Sequence, residues 1–113
     1  MAIKSIGIVG CGAIGKALIK AVEDGKLAVR VAGVTSRTEK NAREFLSAFK
    51  IPPQYLSLDE LVRASDLLIE AAGGHIVAEL AKKAFAAGKE LMVISVGALL
   101  ECHPRRIIGT NLP

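Results

Sequence analysis

Three glycines set the first chemical constraint. Gly10-Cys11-Gly12-Ala13-Ile14-Gly15 reads G-x-G-x-x-G, and each glycine in that spacing has its own job. Gly10 permits a tight turn, Gly12 lets a phosphate approach the backbone, and Gly15 lets a helix lie close to a strand. The motif carries weight only with a strand before it and a helix after it. Residues 3–9 form a short β-rich run, and residues 13–24 place Ile14, Ala17, Leu18, Ala21 and Val22 at the offsets of one helical face. Phosphates would then meet the free N–H groups and the positive dipole end of that helix. Gly10, Cys11, Gly12, Ala13, Ile14 and Gly15 are therefore the candidate cradle for the pyrophosphate of a dinucleotide.

Which dinucleotide is decided about 20 residues on, where an NAD site places a carboxylate against the ribose hydroxyls. This chain has Thr35-Ser36-Arg37-Thr38 there, and no carboxylate before Glu39. Without that carboxylate a 2′-phosphate is not repelled, and Arg37 offers it a charge-assisted partner. Ser36, Arg37 and Thr38 thus favour NADP over NAD as cofactor, with NAD tolerated. The plainer reading of Arg37 is a solvated turn residue.

Two further segments fall where strands end on the same edge. Glu70-Ala71-Ala72-Gly73-Gly74-His75 is rich in small residues, so Ala71, Ala72, Gly73 and His75 would line the nicotinamide side. Ser95, Val96 and Gly97 add backbone groups and one hydroxyl. His75 is the tempting acid–base candidate, yet no carboxylate partner for it is visible, and a lone histidine is more often structural. His103 sits in an irregular stretch, and no nucleophilic constellation emerges, so no catalytic residue is assigned. Cys11 and Cys102 have no metal-ligand spacing, and a disulfide framework or metal site is not expected.

The elements around these residues alternate. A second strand is expected over 27–34 and a helix over 38–49 with Thr38 as N-cap and Ala42, Phe45, Leu46 and Phe49 inward. Pro52 and Pro53 stop that helix. Ser57-Leu58-Asp59-Glu60 has the form of a capping box opening a helix through 63. A strand over 66–70, a helix over 76–87 closed by Gly88, and a strand over 90–96 follow. Strands alternating with helices predict a parallel α/β sheet. The fold expected is a Rossmann-type doubly wound sheet of order 3-2-1-4-5, its third strand short or poorly formed around Tyr55. Residues 1–100 form the dinucleotide-binding domain and 101–113 an irregular tail.

Composition agrees with that class. The 113 residues are 51% hydrophobic and only 4% aromatic, which suits aliphatic packing on both faces of a sheet. The net charge of +4 raises the question of nucleic acid, but the basic residues are scattered and no aromatics interleave with them, so no nucleic-acid partner is expected. No signal peptide or bilayer-length apolar run is read, and a cytoplasmic protein without a membrane partner is the expectation.

Residues 7–15, the segment 70–73 and above all 87–99 (Ala-Gly-Lys-Glu-Leu-Met-Val-Ile-Ser-Val-Gly-Ala-Leu) resemble the L-aspartate dehydrogenase family. The resemblance covers residues 1 to about 100. It implies oxidation of L-aspartate to iminoaspartate, with hydride passing from the aspartate Cα to the nicotinamide C4 of NAD or NADP, a step that can feed NAD biosynthesis. It also implies a second domain carrying the catalytic histidine, most substrate contacts and the homodimer interface. None of that domain's motifs is found here, so the chain is expected to bind cofactor without turnover. The segment 35–38 also resembles glucose–fructose and inositol dehydrogenase-like oxidoreductases, and a non-catalytic dinucleotide-sensing module is a third possibility.

Overall fold

The computed structural model describes residues 3–95. It contains β1 (Ser5–Val9), α1 (Ala13–Glu23), β2 (Arg30–Thr35), α2 (Glu39–Leu46), α3 (Leu58–Ala64), β3 (Leu67–Glu70), α4 (Gly74–Ala86) and β4 (Glu90–Val93). Every strand pair is parallel, in the order β2-β1-β3-β4. The expected order is recovered, with the third of the five expected strands reduced to one parallel bridge between Tyr55 and Val34. The cause lies just upstream: Pro52 and Pro53 have no N–H to give to a ladder. Gln54 completes the edge instead, its carbonyl accepting from Val34 N (3.0 Å) and its Nε2 donating to Ala32 O (3.2 Å).

Successive strand residues face opposite sides of a sheet, and the core divides accordingly. Ile8 and Val34 meet Ile19 of α1 and Leu46 and Phe49 around α2. Val9, Leu68 and Leu91 meet Leu61 and Val62 of α3 and Leu80 and Ala84 of α4. Gly7 makes the second layer possible, because a Cβ there would lie 2.2 Å from Ser65 Oγ and 2.8 Å from Leu61 Cγ.

Local signals act as expected at most element ends. Ser57 and Glu60 form the complete capping box of α3. Thr38 caps α2 by accepting from Asn41 N at 3.3 Å. Beyond α1, Lys26 N donates to Ala21 O and Gly25 N to Val22 O, a Schellman closure repeated after α4 by Lys89 and Gly88.

Several expectations need correction, and two are strand ends: the first strand begins at Ser5, not 3, and the last ends at Val93, short of Ile94 and Ser95. The α1 face toward the sheet is centred on Gly15 and Ile19, both buried, while Ile14 is 46% exposed and Ala17 is also exposed. Gly15 has to face the sheet for the close approach it allows, and that turns Ile14 outward. The second strand begins at Arg30, not 27, and runs on to Thr35; Leu27 is exposed. Helix α2 ends at Leu46, not 49, because its last turn tightens to i→i+3 bonds from Ala48 and Phe49. Helix α4 begins at Gly74, two residues before the expected start. Val96, Gly97, Cys102, His103 and the tail 101–113 lie outside the described residues.

Candidate functional site

The C-terminal ends of the four strands lie side by side, and their following loops share one edge of the sheet. In open parallel sheets the ligand crevice forms on that edge. Hydrogen bonds knit the loops together there: Gly10 N to Thr35 O (2.8 Å), Ala71 N to Val9 O (2.8 Å), and Ile94 N to Glu70 O (3.0 Å).

A cleft of about 340 Å³ opens between them. The turn after β1 contributes Gly10, Cys11 and Gly12, the end of β2 contributes Ser36 and Arg37, α2 contributes Asn41, and the far wall is Ala71, Ala72 and His75. Gly10 adopts φ +117°, and a Cβ there would lie 2.6 Å from the backbone oxygen of Ala71. Both conformation and space therefore require glycine. A Cβ on Gly15 would come within 3.2 Å of Ile8 Cγ2 and 3.3 Å of Gly10 O, the close helix–strand approach its position demands. At Gly12 a Cβ would meet nothing nearer than Ala71 O at 3.8 Å. The room left beside Gly12 belongs to the cleft.

Gly12 is also the N-cap of α1, and no side chain caps that helix. The first intrahelical bond runs from Lys16 N to Gly12 O (3.1 Å), so the amides of Ala13, Ile14 and Gly15 are the donors a helix start leaves without intrahelical partners. No acidic residue occupies the first turn. This end of the cleft fits a phosphate.

At the other end, Arg37 Nη2 lies 3.2 Å from His75 Nε2, across the cleft. A guanidinium only donates, so Nε2 of His75 is the acceptor in this contact. Its partner is thus a cation, not the carboxylate an acid–base role would call for. Among the described residues no acidic side chain lines the cleft. The first carboxylate after β2, Glu39, is engaged by Arg43 Nε at 2.6 Å along α2. Thr38 caps α2 and does not line the cleft. Burial pushes the Cys11 thiol above its ordinary pKa, against a smaller opposing effect of a hydrogen bond with Ser36. The neutral thiol adds no negative charge beside the phosphate position.

Residues 10–109 match the family described as "Homoserine dehydrogenase, NAD binding domain". The chain belongs to this family. An L-aspartate dehydrogenase of Methanocella arvoryzae is 38% identical over 96 residues, which are 85% of this chain and 36% of that protein. The chain thus spans about a third of the length of the relatives it matches. Among solved structures, a homoserine dehydrogenase from Thiobacillus denitrificans superposes with a TM-score of 0.70 at 19% identity, covering 91% of this chain and 26% of that one. A Sinorhizobium meliloti protein provisionally assigned as a myo-inositol dehydrogenase gives 0.65 at 23% identity, covering 80% and 27%. At these identities the structures speak for the fold alone.

The structure brings eight of the candidate residues together around one cleft. Ala13, Ile14 and Gly15 form the helix start beside it, and Gly73 adjoins the far wall as the N-cap of α4. Sequence reading missed two participants. Asn41 enters because Thr38 opens α2 directly beside the cleft, and a residue three positions past an N-cap lies in the first turn. Glu70 carries a signal that was readable: a carboxylate ending an apolar strand must be buried, and then needs donors. It is 0% exposed. Burial pushes its pKa up, but hydrogen bonds from Gly73 N, Ser95 N, Ser95 Oγ and Ala72 N outweigh that and hold it below the usual range. Ser95 faces this carboxylate and does not line the cleft. Among the described residues no cluster of His, Cys, Asp or Glu is arranged to hold a metal, and no helix is long and apolar enough to cross a membrane.

Proposed function

We propose that the chain binds NADP(H) in preference to NAD(H) and forms the cofactor half of a dehydrogenase that oxidises L-aspartate. The observation carrying the cofactor preference is the end of β2, where Arg37 faces the cleft and the first carboxylate after the strand, Glu39, is paired with Arg43. The Gly10–Gly12 turn and the amides of α1 hold the pyrophosphate, Ser36, Arg37 and Asn41 take the adenosine ribose and its 2′-phosphate, and the backbone of Ala71–Gly73 lies against the nicotinamide ribose. Ser95 stands behind that wall, bonded to the Glu70 carboxylate. When bound, the dinucleotide supplies hydride acceptance. The chain's own residues bind and orient it.

The substrate assignment rests on the L-aspartate dehydrogenase relatives, one of them 38% identical, and the more distant inositol dehydrogenase-like likeness carries no comparable weight. Cytoplasmic location and a homodimer formed by the longer protein belong to the same reading, with no nucleic acid or membrane as partner. No described residue forms a base–orienter pair, so this chain alone holds cofactor without turnover. Extended by the further length its relatives possess, it reduces NADP with L-aspartate and not with inositol. Robust aspartate oxidation by the 113-residue chain, or polyol-dependent reduction by the extended protein, overturns this proposal.

A further inference from the structure

The buried carboxylate of Glu70 is met by four donors. Oε2 accepts from Ala72 N (2.8 Å), Gly73 N (2.7 Å) and Ser95 Oγ (2.8 Å), and Oε1 accepts from Ser95 N (2.9 Å). The donors come from two loops, one leaving β3 and one following β4. Glu70 is therefore a tie across the sheet edge. The first of these loops needs such a tie: Gly73 adopts φ +122°, and as the N-cap of α4 it has no side chain to fix the turn. The glycine turn rests directly on the same loop, since a Cβ on Gly10 would lie 2.6 Å from Ala71 O and 2.8 Å from Ala72 Cα.

The geometry points to Glu70 as a positioning residue, which fixes the Ala71–Gly73 wall and Ser95 and thereby sets the affinity for the nicotinamide half of the dinucleotide. The inference rests on the dinucleotide reading above. Its chemistry is acceptor-specific. Every group facing the carboxylate donates, so an amide at this position turns one NH₂ against at least one N–H, and that donor loses its acceptor.

The test is titration of the chain with NADPH and with adenosine 2′,5′-bisphosphate, which lacks the nicotinamide half. Glu70→Gln is expected to weaken NADPH about tenfold or more and to leave the bisphosphate within about twofold, with a native far-UV spectrum. Equal loss of both ligands, or loss of neither, overturns the inference. Should Glu70→Gln fail to fold, Ser95→Ala decides, because it removes one of the four bonds and leaves the three backbone donors. A loss of about threefold for NADPH alone is expected there, and no change overturns the inference. Wild-type chain that binds neither ligand is a different failure: it removes the dinucleotide reading itself.

Discussion

Gly10 and Gly12 are two residues apart and are glycine for different reasons. At Gly10 a side chain would meet both a positive φ and the backbone of Ala71; at Gly12 the backbone is extended, at φ −91°, and a Cβ would meet only Ala71 O, at 3.8 Å. Gly10→Ala should therefore cost stability, on the order of 3 kcal/mol from strain and overpacking together. Gly12→Ala should cost about 1 kcal/mol or less, the loss of a glycine N-cap, while weakening dinucleotide binding at least about tenfold. Urea melts and titrations of the two variants read both effects. Equal stability losses, or full binding by Gly12→Ala, would contradict the division. The turn at Gly10 and the close approach at Gly15 were legible in the sequence because backbone geometry alone sets them. The Arg37–His75 contact was not, since it joins side chains 38 positions apart.

At the scale of elements, the sequence carried what is local. The capping box of Ser57 and Glu60, the cap at Thr38 and the two glycine closures at Gly25 and Gly88 all involve neighbours in the chain. The rotation of α1 was not local. Periodicity alone suits Ile14 and Ala17 as well as Gly15 and Ile19, and contact with Ile8 and Phe45 selects the second set. The reduction of the third strand was half legible. Pro52 and Pro53 forecast a weak strand, but the substitution of Gln54's side chain for a ladder bond depends on where Ala32 lies. Glu70 illustrates the same boundary, for its need of donors follows from its type, whereas Ser95 as a donor follows from the pairing of β3 with β4.

Across the molecule, four carboxylates sit below their ordinary pKa for related reasons. Lys83 beside Asp59, the capping-box bonds from Ser57 to Glu60, the Lys4 and Ser5 amides on Asp66 and the donor set around Glu70 all favour the ionised form. A lowered folded pKa contributes stability that is present above the unfolded value, about 4, and is lost as pH falls through the folded value. The urea midpoint should hold from pH 7 to about 5 and fall steadily below about 4, with Glu70 the main contributor because the other three pairs are screened by water. A midpoint unchanged down to about pH 3 would contradict this.

At the scale of the whole molecule the central proposal is that this domain holds NADP(H) along its sheet edge, with Arg37 on the 2′-phosphate. Calorimetric titration of the chain with NADPH and NADH, repeated on Arg37→Ala, tests it most directly. One charge-assisted contact from an exposed arginine predicts NADPH tighter by about tenfold, with the substitution abolishing that advantage and leaving NADH within about twofold. NADH binding as tightly as NADPH, with neither affinity altered by Arg37→Ala, would contradict the claim.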